Sequence, residues 1–201
     1  MENQNLDQVA WDYLLGSPRD QEVARHVLIN AGAAAIFPLV RAGLRTAKEF
    51  NPLQTRSVMA NNDRQGAETL WIRGIAEPML DNIYAVVTAI GQPAYDALCR
   101  ALWEQDGKLK VLAAVVLLHG KQLTERTIKQ VQDAINRNAP VNRNKEYLVQ
   151  TRIFILLSNA LALNGDPKHQ QLLQHMMKES QLSIEETIER TRNTGLLYLI
   201  R

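Results

Sequence analysis

Four glycines divide the chain into helical stretches, and they constrain the fold more than any other feature of the sequence. They are Gly32, Gly91, Gly120 and Gly165, in the contexts NAG, AIG, LHG and LNG. Each is preceded by apolar residues four and eight positions earlier, which is the spacing of one stripe along a helix. We expect each glycine to end a helix in a left-handed cap, with the next helix beginning within a few residues. Such short connections make neighbouring helices pack antiparallel.

The spacing of these glycines predicts a repeated helix pair with two insertions. The glycines are separated by 59, 29 and 45 residues, and we assign the extra length to residues 49–76 and 138–146. A period of about 30–47 residues built from paired helices is typical of an α-solenoid. We expect helices over residues 6–15, 18–31, 33–47, 78–90, 93–105, 107–119, 124–137, 145–164, 167–178 and 183–199. The 49–76 insertion is expected to hold one or two short helices.

Prolines and capping residues support these helix starts. A proline in the first turn lacks an N–H that would be unsatisfied there anyway, and its φ is already helical. Five prolines are expected at such positions, in the pairs Ser17-Pro18, Asn51-Pro52, Glu77-Pro78, Gln92-Pro93 and Asp166-Pro167. Pro38 lies inside an apolar stretch, where it would either kink a helix or occupy its first turn. Ser183 and Glu186 have the spacing of a capping box for the last helix.

Composition favours helices and excludes several classes of protein. Aromatic residues make up 5% of the chain while Ala and Leu are abundant, which favours helix–helix packing over a β-sandwich. A net charge of +2 is too small to indicate nucleic acid by itself. The single cysteine, Cys99, excludes an internal disulfide and a cysteine-rich zinc site. The N-terminus does not read as a secretory signal, and we take Leu109–Gly120, too short to span a bilayer, as the longest apolar run. We therefore expect a cytoplasmic protein without membrane contact.

The stretch GQPAYDALCRALWEQDGKLKVLAAVVLLHG, residues 91–120, resembles a HEAT repeat. The features that carry the resemblance are Pro93-Ala94, Asp106-Gly107, Lys108 or Lys110, and an Ala/Leu-rich second helix ending at Gly120. Similar stretches lie at residues 20–32, 36–44 and 149–167. The resemblance implies an all-α fold: a right-handed α-solenoid of antiparallel helix pairs, with about four to five repeats. Residues 1–201 would then form a single HEAT-like domain, with an insertion at about 49–76 and a C-terminal helix at about 183–199.

We recognise no catalytic, cofactor or metal site from the sequence. The histidines, His26, His119, His169 and His175, lack metal-ligand spacing, so we expect satisfied structural or surface roles for them. Cys99 is expected to be a small buried hydrophobe rather than a nucleophile. Glu185 and Glu186 are expected to interact favourably with the dipole at the start of the last helix. The protein is therefore expected not to be an enzyme.

Candidate interaction residues fall into three groups. Arg25, Tyr84, Lys108, Lys110 and Arg152 are expected to point outward from second helices of the repeats. Residues 121–152 carry seven positive and three negative side chains. Arg143 and Lys145 in this segment are candidates for contact with an anionic partner, and the alternative is that they belong to a solvated linker. Trp71 lies in the insertion and is a candidate exposed aromatic, whereas Trp103 is expected to pack between helices.

Two classes of function compete on these observations. The first is a non-enzymatic scaffold that binds a protein or peptide in the groove of the solenoid. The alternative is a nucleic-acid-binding protein similar to DNA glycosylase-type solenoids, which hold the duplex on a basic concave surface. HEAT-like chromophore lyases are a third possibility that rests on fold alone. The apolar end of the chain, TGLLYLIR, is expected either to tuck against the preceding helix pair or to form a homodimer contact.

Overall fold

The computed structural model describes residues 5–51, 64–120, 123–137 and 147–200, and within these ranges the chain is all-helical, with no strand. The α-helices are α1 (Leu6–Leu15), α2 (Pro18–Ala31), α3 (Ile36–Glu49), α4 (Arg64–Trp71), α5 (Glu77–Ile90), α6 (Gln92–Ala101), α7 (Gly107–His119), α8 (Glu125–Arg137), α9 (Tyr147–Leu163), α10 (Pro167–Ser180) and α11 (Ile184–Ile200). A 3-10 turn, Gly32–Ala35, leads into α3, and a π-helical turn, Ile72–Ala76, joins α4 to α5. The predicted all-α fold is confirmed.

The chain divides into two compact units. Unit 1 comprises residues 1–97 and 199–201, and unit 2 comprises residues 98–198. In unit 1, α1 contacts α2 and α3, and α5 contacts both α2 and α3. In unit 2, α9 is the central helix, since it contacts α7, α8 and α10. The expectation of a single domain stays a prediction.

Local capping explains most of the helix boundaries. The side chains of Asn5, Ser17, Asp106 and Asp166 each accept a hydrogen bond from a backbone N–H in the first turn of the following helix. Gly32, Gly91 and Gly165 have positive φ, of 60°, 75° and 86°, as a left-handed cap requires. At Gly32 and Gly91, however, ψ is −137° and −143°, so these two glycines do not adopt the left-handed helical conformation that the sequence predicts. The prediction is wrong at Gly120, where φ is −70° and ψ is 100°, an extended conformation open to any residue.

Two of the prolines, Pro38 and Pro78, lie in first helical turns that no loop precedes. Pro38 lies in the first turn of α3, which is one of the two positions predicted for it. Pro78 is the second residue of α5 and so occupies the first-turn position that the sequence predicts. No loop precedes it, however, because the helical chain runs from Arg64 to Ile90 without a break. The N–H of Glu77 bonds to the carbonyl of Ile72, five residues back, in the π-helical turn. This wider turn directly precedes Pro78, where a regular α-helix would place the proline ring against the carbonyl of Gly74. Pro52 lies outside the described residues.

Helix α7 is buried on nearly every side, as its apolar sequence predicts. Every residue from Val111 to Leu118 is at most 2% exposed. The last helix, α11, tucks against this core at Gly195. A Cβ atom on Gly195 would lie 2.7 Å from Val115 Cγ2 of α7 and 3.3 Å from Leu156 Cδ1 of α9. The tucked arrangement predicted for the C-terminal segment is therefore present.

The capping box at the start of α11 is confirmed. The backbone N–H of Ser183 donates to Glu186 Oε2 at 2.8 Å, and the N–H of Glu186 donates to Ser183 Oγ at 3.2 Å. The hydrogen bonds with the backbone and side chain of Ser183 lower the pKa of Glu186. Two amides that would otherwise be unsatisfied are thus paired, which fixes where α11 begins.

Replacing Ser183 by alanine is expected to lower the free energy of unfolding by about 1 kcal/mol, because the N–H of Glu186 loses its acceptor. Urea denaturation followed by circular dichroism measures the change. Ser183→Asp, which keeps an N-cap acceptor, should stay within about 0.5 kcal/mol of the wild type. Equal losses in both variants would show that the cap does not stabilise α11.

Two helical segments are apolar enough to cross a membrane by length and composition. An 18-residue window within Pro18–Glu49 has a mean hydropathy of 1.7, and 39% of it is buried inside the protein. The pair α9 and α10 passes the same test only when taken together, although the chain bends by 112° between them. The sequence-based expectation rested on Leu109–Gly120 and did not consider these segments. A cytoplasmic protein without membrane contact stays a prediction.

Candidate functional site

The candidate interaction residues fall in both units. Arg25, Tyr84 and Trp71 belong to unit 1, and Lys108, Lys110 and Arg152 belong to unit 2. Arg143 and Lys145 lie outside the described residues. Lys108 and Lys110 are half-buried in the first turn of α7. Of the six candidate residues that the structure describes, Arg152 alone lines the groove described below.

The two tryptophans are placed opposite to the prediction. Trp71 is buried, at 3% exposure, and its indole N–H has no hydrogen-bond partner among the described residues. It therefore offers no exposed stacking surface, because the helix that continues through the insertion directs it into the core of unit 1. Trp103 is 46% exposed, and the Arg137 guanidinium carbon lies 3.9 Å from its ring centroid. That distance is typical of a cation–π contact at the surface.

Tyr84 and Arg25 are engaged with neighbours inside unit 1. Burial and a hydrogen bond with the Tyr84 side chain raise the pKa of Tyr95 to about 12. The Tyr84 side chain is thus hydrogen-bonded to the buried Tyr95 and is not isolated on the surface. The Tyr13 hydroxyl donates to the carbonyl of Asn82 at 3.0 Å. Burial raises the pKa of Tyr13, and the nearby charge of Arg25 opposes that rise.

Unit 2 contains a groove between α9, α10 and α11, with a volume of about 510 Å³. This volume lies within the range of about 300–1,000 Å³ found for ligand pockets. Its lining residues are Arg152, Ile155, Leu156, Met176, Glu179, Ser180, Leu182, Thr187, Arg190, Thr191, Thr194 and Gly195. The close approach of α11 to α9 at Gly195 sets one wall, and the loop from α10 to α11 closes the groove with Leu182.

Three of the four hydroxyl groups around the groove donate to backbone carbonyls three or four residues before them, and the fourth, Thr191 Oγ1, accepts from Asn159 Nδ2 of α9 at 3.1 Å. Ser180 Oγ donates to the carbonyl of Met176 at 2.7 Å, Thr187 Oγ1 to that of Ser183 at 2.8 Å, and Thr194 Oγ1 to that of Arg190 at 2.8 Å. A hydroxyl whose proton is committed to the backbone presents mainly its carbon atoms to a ligand. The groove is therefore more apolar than its residue types indicate, and Ile155, Leu156, Met176 and Leu182 provide its hydrophobic surface.

Two cations and one carboxylate border this apolar surface. The Arg152 guanidinium carbon lies 4.7 Å from the ring centroid of Tyr198, and Nη1 donates to the carbonyl of Leu148 at 3.3 Å. Arg152 Nε is buried and has no hydrogen-bond partner among the described residues. Glu179 pairs with His175 Nε2 at 3.3 Å, along the exposed side of α10. The described residues provide no carboxylate within ion-pairing distance of Arg152 or Arg190.

The most perturbed carboxylate, Asp166, caps α10 and does not line the groove. His169 Nδ1 lies 2.8 Å from Asp166 Oδ1, and Gln132 Nε2 donates to Oδ2 at 2.9 Å. Partial burial raises the pKa of Asp166, but hydrogen bonds from the His169 ring, the Gln132 side chain and the His169 backbone outweigh that effect and hold it at about 2. His26 and His175 each lie within ion-pairing distance of a glutamate four residues away. These three histidines have the satisfied roles that the sequence predicts.

Ionised Asp166 is expected to contribute about 1–2 kcal/mol to folding, because its pKa falls from 3.8 to about 2 in the folded protein. Folding favours the ionised carboxylate, because the pKa of Asp166 is lower in the folded protein than in the unfolded chain. The contribution is complete above pH 3.8 and is lost as the pH falls through about 2. We expect the stability difference between the wild type and Asp166→Asn, measured by urea denaturation from pH 6 to pH 2, to shrink toward acid. Asn keeps the N-cap acceptor, so a difference that does not change with pH would contradict a role for the charge.

Within the described residues, no group of three His, Cys, Asp or Glu side chains is placed to hold a metal ion. Cys99 is buried, at 3% exposure, as predicted. The groove itself was missed by sequence reasoning, apart from Arg152. A signal for it was present, because the polar run TIERTRNT precedes the apolar end of α11 and leaves short threonines facing its neighbours.

No protein-family model matches this chain, and no curated protein or solved structure matches it either. The all-helical fold is established by the structure alone. The resemblance to HEAT repeats stays a prediction, and a function for the chain is inferred from the groove of unit 2.

Proposed function

We propose that the protein is a non-enzymatic binding module that takes a peptide segment of a partner protein into the groove between α9, α10 and α11. The single observation that carries this proposal is the groove's composition: an apolar surface of four aliphatic or Met side chains, bordered by Arg152 and Arg190. An amphipathic helix can lay its apolar face into such a groove, with anchors at positions i, i+3, i+4 and i+7.

We also propose that the helices form antiparallel pairs that stack as they do in HEAT repeats. Contacts inside each unit support it. In unit 1, α1 contacts α3 and α2 contacts α5, so that first helices meet first helices and second helices meet second helices. In unit 2, the second helices α7 and α9 are likewise in contact. Helix α11 departs from the pattern, since Gly195 approaches both α7 and α9 and so creates one wall of the groove.

Nucleic-acid binding is the weaker candidate. Trp71, an aromatic that was expected to be exposed, is buried. Two of the cations assigned to an anionic contact, Arg143 and Lys145, lie outside the described residues. The remaining support is the half-exposed Trp103 with Arg137 stacked on it. A gel-shift series tests this candidate, because binding through phosphates must weaken steeply with added salt.

Selection from a displayed library tests the peptide-binding proposal. The library presents helical peptides of about 16 residues with fixed leucines at i, i+3, i+4 and i+7 and random residues elsewhere. Affinities of selected peptides are then measured by fluorescence anisotropy against purified full-length protein. We expect affinities in the micromolar range, and Thr194→Trp, which fills the groove, should weaken binding at least about tenfold.

Thr69→Trp is the matched control. Thr69 is also an exposed helical threonine whose hydroxyl donates to a carbonyl four residues back, at 2.9 Å, but it lies on α4. Binding to Thr69→Trp should stay within about twofold of the wild type. If selection yields no peptide, or if Thr194→Trp binds as tightly as the control, the groove is not a peptide site.

A further inference from the structure

We infer that the groove selects peptides in which an acidic side chain lies about one helical turn from an apolar anchor, and that Arg152 recognises the acidic group. This inference rests on the proposed peptide-binding function and specifies its ligand. It follows from three properties of Arg152: its unused hydrogen-bonding capacity, its fixed orientation, and its position beside Leu156.

The first property is the state of its donors. An arginine carries five N–H donors and no acceptor. In Arg152 one nitrogen, Nη1, donates to Leu148, and the buried Nε has no partner among the described residues. A buried donor without a partner is unfavourable, and a ligand acceptor that bonds to Nε itself, together with Nη2, would relieve that cost. A carboxylate is the acceptor of choice, because its two oxygens match the guanidinium fork and its charge is opposite.

The second property is orientation. The guanidinium is held over the Tyr198 ring at 4.7 Å and is tied to the backbone of Leu148. Two contacts on different helices restrict its rotamers before any ligand arrives, so less entropy is lost when a carboxylate binds. Arg190 differs because it is exposed, and among the described residues no ring or carbonyl contact fixes its guanidinium. Solvent therefore screens Arg190 more strongly, and its contribution to selectivity is small.

The third property is spacing along α9. Arg152 and Leu156 are four residues apart and both line the groove, so the cation and the apolar surface are neighbours on one helical face. The one carboxylate among the lining residues, Glu179, is on α10 and already pairs with His175. A helical ligand that places a leucine against Leu156 can thus bring Asp or Glu to Arg152 from three or four positions away.

The test compares two matched peptides with defined protein variants. A selected leucine-anchored peptide is made with Glu, or with Gln, at the position four residues from its central leucine, and both are titrated by fluorescence anisotropy. With the wild type we expect Glu to bind about fivefold or more tightly than Gln. With Arg152→Met, which keeps an apolar stem beside Tyr198, the preference should fall below about twofold. Arg137→Met is the matched control: it also removes a guanidinium that lies over an aromatic ring, but Arg137 does not line the groove, so the preference should be retained.

The outcomes separate this inference from the proposed function. If neither peptide binds the wild type, peptide binding itself fails. If both bind equally well, or if Arg152→Met retains the preference as fully as the Arg137→Met control does, the groove is a peptide site but the assignment to Arg152 is wrong. Salt provides a second measurement on the unmodified protein: raising NaCl from about 50 mM to about 500 mM should reduce the advantage of Glu over Gln. An advantage that does not change with salt would overturn recognition by charge.

Discussion

Leu112→Ala is expected to lower the free energy of unfolding by about 3 kcal/mol, the largest effect of any single change considered for this chain. Leu112 lies in the middle of α7 and is 0% exposed. Its immediate neighbours in the sequence, Val111 and Ala113, are fully buried as well, so the surrounding side chains cannot close a cavity from the direction of solvent. The loss therefore combines the transfer free energy of the removed methyl groups with the cost of the cavity. Urea denaturation followed by circular dichroism gives the value.

Two further variants make this result interpretable. Leu112→Met keeps the side-chain volume and should cost less than about 1.5 kcal/mol. Leu70→Ala makes the same chemical change at a position that is 75% exposed and should stay within about 0.5 kcal/mol of the wild type. If Leu112→Ala costs no more than Leu70→Ala, α7 is not the buried centre of unit 2.

Gly195→Ala is expected to destabilise the protein by about 2 kcal/mol, although alanine is the better helix former. In a helix interior, Ala is favoured over Gly by about 1 kcal/mol. At Gly195 the added Cβ would lie 2.7 Å from Val115 Cγ2 and 3.3 Å from Leu156 Cδ1. Val115 is β-branched and fully buried, so it cannot rotate away, and α11 must move instead. The measurement is again the free energy of unfolding in urea.

Gly74→Ala is the natural comparison, because the same substitution there should stabilise. Gly74 lies in the π-helical turn, and a Cβ on it would have no atom within 4 Å. Without a steric penalty, the helix preference of alanine should raise stability by about 0.5–1 kcal/mol. A stabilising effect at both glycines would show that α11 does not approach α7 closely.

Local chemistry made the helices predictable, and tertiary contacts decided where prediction failed. Helices α1, α2 and α7 have the bounds expected from Pro18, Gly32 and Asp106-Gly107, because capping and the fixed φ of proline act within a single turn. The first-turn position of Pro78 was predicted correctly, but the π-helical turn that joins α5 to α4 was not, since composition does not reveal such a turn. The exposure of the two tryptophans was inverted because burial depends on which face of a helix meets its neighbours.

The groove could not be predicted for a related reason. Its lining comes from three helices and the loop between α10 and α11, and its width depends on the approach of α11 at Gly195 and on the 112° bend between α9 and α10. Neither quantity is encoded in a short stretch of sequence. Arg152 was identified because a basic residue at that point of a second helix stands out, but its pairing with Tyr198 joins residues far apart in the chain.

The π-helical turn at Ile72–Ala76 has a consequence for insertions and deletions. A π-helical turn accommodates one residue more than the α-helix it interrupts. Removing a single residue there would keep the faces of α4 and α5 in phase, but it would place Pro78 in the interior of a regular α-helix, against the carbonyl four residues before it. Removing one from the middle of α5 would instead rotate every later residue of that helix by about 100° and turn its buried face toward water. The π-helical turn therefore lets this long helix carry Pro78 in its interior while α4 and α5 keep their own packed faces.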